Sequence, residues 1–322
     1  MNHRKRVLSL FSALGMLILI FDGKTALYGA NSGIELCLKT VIPALFPFFV
    51  LSSALIRNAS PGGKRVKSIC TFFGLPKGIE SMLLPCLLGG YPVGAQSTYQ
   101  LYKCRHLTKS EAEKLLAFCN NAGPSFLFGI VGQMFPQKWM VWALWGIHIA
   151  GALVAAQFVV IPDSSDNSSK HMPFLSKSHM SDSIITMGIV CGWIILFRVL
   201  IAFLDRWVLW MFPQIIRVAF IGALELSNGC CELSRIARVP VRFILCSIML
   251  AAGGLCVTMQ TTSVTQGLSL KYYWLGKLVQ ISVCLMLSFC LMYRTALPLV
   301  LLLPLFCHLK KKRNGNQVVT DV

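Results

Sequence analysis

The chain has 322 residues, 30 Lys and Arg against 12 Asp and Glu, 55% hydrophobic residues, only 13% charged ones and a mean hydropathy of +0.67. Soluble domains carry about 25% charged residues, so a water-soluble globule of this size would lack polar surface, and the high apolar content without a Gly or Pro period excludes collagen-like, disordered and disulfide-stapled classes. The net charge of +18 falls in short clusters beside apolar runs, such as Arg4 to Arg6, Lys64 to Lys67, Arg235 to Arg242 and Lys310 to Arg313; that is the positive-inside pattern of a membrane protein, not the continuous stripe that a nucleic acid needs.

In chain order, a basic start is followed by the apolar run 7–21, the form of a signal peptide. Tyr28 disfavours cleavage after Ala30, so residues 1–30 are expected to keep a first membrane segment with its basic end inside. Further apolar stretches cover roughly 36–56, 82–101, 115–132, 139–161, 184–204, 207–226, 243–259 and 278–309, the last interrupted by Arg294 and Pro298. Since about 20 apolar residues cross a bilayer as a helix, about eight to ten membrane segments are expected. Residues 162–182, rich in Ser, Asp and Asn, read as a polar linker. It separates a first membrane repeat at 31–161 from a second at 183–309, with a basic cytoplasmic tail at 310–322. The expected fold is therefore an all-α polytopic membrane protein of two pseudo-symmetric repeats.

Two segments are interrupted. LLGGYPVGAQSTYQ places Gly89, Gly90, Tyr91, Pro92 and Gly94 inside an apolar run, and FCNNAGPSFLFGIVG places Asn120, Asn121, Gly123, Pro124 and Ser125 in mid-segment. Proline removes a backbone donor and glycine weakens the helix, so backbone groups here must face protein or a wet cavity. GGYPVGAQST also aligns without gaps on GGLCVTMQTT, which begins at Gly253, at an offset of 253 − 89 = 164. Paired interrupted segments in two halves point to a transporter substrate site. On that reading Gly89, Gly90, Pro92, Gly253 and Gly254 form unwound turns exposing main-chain donors; the competing reading is close helix packing by small residues. Gln96 and Gln260, at matching positions of the two stretches, could bind a substrate carboxylate or ring nitrogen, or glue helices together. The same two readings apply to Asn120, Asn121 and Ser125.

Glu225 lies in AFIGALELSNG with no neighbouring cation. An ionised carboxylate in mid-span costs on the order of 3 kcal/mol, so Glu225 is expected to face a cavity, to couple a cation or proton, or to hold an arginine; otherwise it marks a segment end. Arg198, in mid-span of CGWIILFRVLIAFL, is the natural counter-charge for Glu225 or for an anionic substrate, unless it snorkels to the interface. His148 reads as a satisfied packing residue. The 13 cysteines include no C-x-x-C and mostly sit in apolar runs, so no metal site or other cofactor is expected. No G-x-S-x-G, H-E-x-x-H, Walker or G-x-G-x-x-G pattern in context occurs, and no enzyme activity is expected.

GGYPVGAQ at Gly89, EAEKLLAFCNNAGPSFLFGIVG from Glu111, CGWIILFRVLI from Cys191, GALELSNG from Gly222 and GGLCVTMQ from Gly253 together resemble the sporulation integral membrane protein YlbJ family, with its gate or nucleoside-recognition-type membrane domain. The resemblance covers nearly the whole chain, and departs from the family pattern after the second glycine pair and in a somewhat short length. It implies a multi-pass protein of endospore-forming bacteria that moves dipicolinic acid from mother cell toward forespore across the outer forespore membrane. The expected function is thus transport of a small anionic or heterocyclic solute, with the bilayer and that solute as partners. The rivals are a nucleoside-type transporter and a non-transporting membrane scaffold or assembly factor.

Overall fold

The computed structural model describes residues 3–57, 89–104, 107–159 and 179–295, and every regular element among them is helical. Helix α1 (His3–Phe21) ends at Asp22, whose carboxylate accepts from the Thr25 amide and caps α2 (Gly23–Leu36). A π turn, Cys37–Val41, joins α2 to α3 (Ile42–Arg57) just before Pro43, so Gly23–Leu51 runs as one apolar span. The first long span therefore begins at Gly23, inside the N-terminal segment expected at 1–30, and α1 is a separate, largely exposed helix.

After the first break come α4 (Val93–Lys103), α5 (Lys109–Cys119), the short α6 (Pro124–Gly129) and α7 (Lys138–Phe158). Thr108 and Glu111 start α5 with a reciprocal capping box, each side chain bonding the other's amide. The second half holds α8 (His179–Trp207), α9 (Gln214–Leu224), α10 (Leu226–Glu232), α11 (Val239–Ala252), α12 (Gly254–Val264) and α13 (Lys271–Tyr293).

Among the described residues, five stretches are long and apolar enough to cross a membrane: Gly23–Leu51, Lys138–Phe158, Met180–Trp207, Val239–Val264 and Lys271–Tyr293. At 1.5 Å per residue each exceeds a roughly 30 Å hydrocarbon core. Trp139, Trp207, Trp274 and Tyr293 stand exposed near the ends of three of them, where aromatic side chains meet headgroups. The protein is an all-α integral membrane protein.

Among the described residues, several of the apolar stretches are divided by breaks and do not run as single spans. The 207–226 stretch is not a span. A Cβ on Gly229 would overlap the backbone of Gly222, whereas residues seven apart in one helix stand about 10 Å from each other. The chain therefore reverses at Glu225, and α9 with α10 forms a re-entrant hairpin. Eleven residues give α9 a length of about 16 Å, half the apolar thickness. The 115–132 stretch divides into α5 and α6, and of 82–101 the described part holds only α4 and the turn before it. The rest of that stretch, most of the linker expected at 162–182, the end of the 278–309 stretch and the basic tail lie outside the described residues.

The two halves interleave. From the second half, α13 packs on α5 and α7 of the first as well as on α11; from the first half, α2 and α3 pack on α8 of the second. Asp22, at the start of α2, pairs with Arg206 near the end of α8 at 3.3 Å, so these two helices run antiparallel. Gly29 and Gly33 let them touch: a Cβ there would sit 2.7 Å from the Val199 Cα and 2.9 Å from the Ile195 Cα.

The order of elements gives a second interval between breaks. The helix break at Asn120 precedes α7 as the break at Gly253 precedes α13; 253 − 120 = 133 and 271 − 138 = 133. Glu225 then stands where Tyr91 and Pro92 stand in the first half. The 164-residue alignment read from the sequence pairs Gly89 with Gly253, which hold different places in this order.

Candidate functional site

Three helix breaks and the turn that opens α4 meet in the interior. Gly90 adopts φ 77°, and a Cβ on it would lie 3.3 Å from Gly123, at the break between α5 and α6. Tyr91 follows, joined to Pro92 by a cis peptide. Its ring lies against Gly253, 3.3 Å from where a Cβ would stand. Gly253 and Gly254 take φ 72° and 79°, in the left-handed region that other residues rarely adopt. That turn ends α11 and frees the Leu250 carbonyl, which would otherwise accept from residue 254; the Tyr91 hydroxyl donates to it at 2.8 Å. Gly254 in turn packs on the carbonyls of Gly222 and Ala223, at the tip of the α9–α10 hairpin. The two glycine-kinked stretches of the sequence are thus in contact in the interior of the protein.

Glu225 forms the hairpin tip and is buried. Its carboxylate accepts from the amides of Ser227 at 3.0 Å and Asn228 at 2.6 Å, and from the Asn228 side chain at 2.6 Å, capping α10. Three donors and a helix start supply the stabilisation that water would give an exposed carboxylate. Arg198 is not its partner: its Nε donates to Ser32 at 3.1 Å across the α2–α8 contact.

A cavity lies where the interruptions converge. It is lined at and beside the breaks by Gly90, Tyr91, Gly123, Glu225, Ser227 and Gln260 together with the apolar Phe126, Leu226 and Val257, and by Leu45 of α3 with Val190 and Ile194 of α8. It offers about 30 Å³, room for one or two waters and too little for a small organic solute in this conformation.

The remaining sequence candidates divide. Gln260 is buried on the cavity wall and its amide reaches Cys256 Sγ at 3.3 Å. Gln96 points elsewhere, accepting from Thr186 of α8 at 2.6 Å, as the 133-residue register implies. Asn120 and Asn121 are buried structural donors, bonding Thr261 Oγ1 and the Phe118 carbonyl respectively. Ser125 is half-buried in the first turn of α6, and Gly89 and Pro92 flank the first kink. His148 is hydrogen-bonded, its Nε2 accepting from the Ala122 amide that the break releases, at 3.0 Å.

Lys277 escaped the sequence reading. It lies in the second turn of α13, almost completely buried, and its ammonium donates to the Asn120 carbonyl at 2.8 Å, Tyr91 Oη at 3.1 Å and Gln280 Oε1 at 3.2 Å. Gln280 then donates to Asn121 Oδ1 at 3.0 Å and to the His148 carbonyl at 3.2 Å. The signal was a stripe of Tyr273, Lys277, Gln280, Cys284 and Ser288, at helical spacing on one buried face of α13.

Fold and site together define a polytopic all-α integral membrane protein whose interior is organised around interrupted helices. Its sequence is similar to the sporulation integral membrane protein YlbJ of Bacillus subtilis (strain 168), 32% identical over 127 residues, 38% of this chain. The chain spans 30% of the length of that curated relative in the match. No family model and no solved structure matches the chain.

Proposed function

We propose that the protein is a membrane carrier for a small anionic or heterocyclic solute, with dipicolinate, implied by the family resemblance, as the first candidate. The observation that supports this reading is the convergence of three helix breaks and the turn before α4 around one cavity. Unwound segments inside a bilayer are tolerated where they line a wet path, and paired ones in two halves are the arrangement of carrier sites. The starts of α4 and α12, eleven-residue helices whose first amides lack intrahelical acceptors, supply the positive end that favours an anion. Ser227 and Gln260 would orient it, and Glu225, whose carboxylate would repel an anion unless protonated, would carry a coupling proton. On this reading the two halves are gate-type repeats, the protein takes no metal or cofactor and catalyses no reaction, and the membrane is that of a bacterial cell, with the outer forespore membrane the specific candidate.

Interleaving changes which parts would move. Rocking one half of the sequence against the other would pull α13 off α5 and α7. The cavity instead separates the α2–α3–α8 unit from the break-bearing bundle, and sliding of that unit across the apolar wall of Leu45, Val190 and Ile194 would open the site with few buried polar bonds lost. Uptake by proteoliposomes of dipicolinate against a nucleoside tests the reading. Saturable dipicolinate uptake that Glu225→Gln reduces is the expected result. Equal leak of both solutes through wild type and variant would leave a scaffold.

A further inference from the structure

We propose that the Lys277 ammonium occupies the place of a bound monovalent cation, so that this chain carries its own fixed cation at the interrupted end of α5. The cavity of the carrier site does not include Lys277. Its ammonium has three donors, and the three oxygens around it, a main-chain carbonyl, an amide carbonyl and a phenol, use all of them. No carboxylate lies within ion-pair distance of it among the described residues.

That oxygen set matches a monovalent ion; divalent cations recruit carboxylates. Its position matches too. Asn120 is the residue that closes α5, so its carbonyl belongs to the negative end of an eleven-residue half-helix. Such ends and unwound carbonyls are where interrupted-helix carriers hold sodium. The rings of Tyr91 and Tyr273 face the ammonium at 4.9 and 5.7 Å, completing a cage without anions. Tethered to α13, the ammonium cannot diffuse away from the first-half break, where a soluble ion would come and go.

The consequence for transport, that solute moves without sodium or potassium, rests on the carrier reading; the occupancy of the site does not. The test is the thermal unfolding midpoint of the purified chain in sodium, lithium, potassium and choline chlorides at equal ionic strength. Wild type is expected to show one midpoint in all four. Lys277→Ala, which vacates the cage, is expected to fall by several degrees in choline and to recover in sodium or lithium. Lys277→Met, which fills it with an apolar chain, is expected to fall and not recover. A wild-type midpoint that rises with one alkali cation overturns the proposal. So does a Lys277→Ala protein that no alkali cation restores, including one that cannot be recovered folded from cells grown in any of the salts. In proteoliposomes, sodium dependence of dipicolinate uptake should appear only in Lys277→Ala. If the midpoints behave as expected and no variant moves dipicolinate, the carrier reading fails and the cation site stands.

Discussion

Glycine does opposite work in two regions of this protein. Along α2 and α8, Gly29 and Gly33 sit in unbroken helix and let two backbones approach within reach of each other's Cα atoms. At the junction of α11 and α12, Gly253 and Gly254 take left-handed conformations that stop one helix, free the Leu250 carbonyl and turn the next helix toward the hairpin tip. The first pair removes bulk, whereas the second provides dihedral freedom. A count of glycines in apolar sequence cannot separate these uses; the difference lies in what each neighbouring backbone carbonyl bonds to.

The comparison can be broken most forcefully at Gly254. Gly254→Leu meets a positive φ and the Gly222 carbonyl 2.9 Å from its Cβ, so a loss on the order of 3 kcal/mol is expected in SDS-induced unfolding from mixed micelles. Gly29→Leu faces no backbone strain and should cost about 2 kcal/mol by separating α2 from α8, a loss that the smaller Gly29→Ala reduces in the same assay. Tyr91→Phe removes both the bond to Leu250 and one partner of a buried ammonium, for about 1–2 kcal/mol. Glu225→Gln weakens the α10 cap by about 1 kcal/mol, while its larger effect is expected on dipicolinate uptake. Gln96→Ala should cost about 0.6 kcal/mol through the lost Thr186 bond and leave uptake unchanged, in contrast to Gln260→Ala, which should lower it.

Helix composition, the two interruptions and the burial of Glu225 were legible because they rest on local chemistry: apolar length, Gly and Pro in mid-run, a carboxylate without a neighbour. The reversal at Glu225 was not, since the 207–226 stretch has the length of a span and reveals its reversal only through the Gly222–Gly229 contact. The sequence alignment and the element order give two different intervals. Gly-Gly and Gln matched at 164 residues by composition, whereas the spatial interval of 133 is carried by element order. Lys277 was missed because it immediately precedes the apolar run taken to begin at 278 and so resembled a flanking loop charge. α13 begins at Lys271 and carries it inside. Arg198 looked like a partner for Glu225 on charge alone, but helix packing directs it to Ser32.

The interleaving of halves has a consequence for biogenesis. A ribosome delivers Asn120, Asn121 and His148 to the membrane well before it makes Thr261, Lys277 and Gln280, to which they bond. Until the last long helix emerges, the early segments hold amides whose partners have yet to be synthesised. Residues 1–161 expressed alone should therefore be degraded, and co-expression of the missing portion should rescue them; cellular quality control would judge this chain at its completion, not segment by segment.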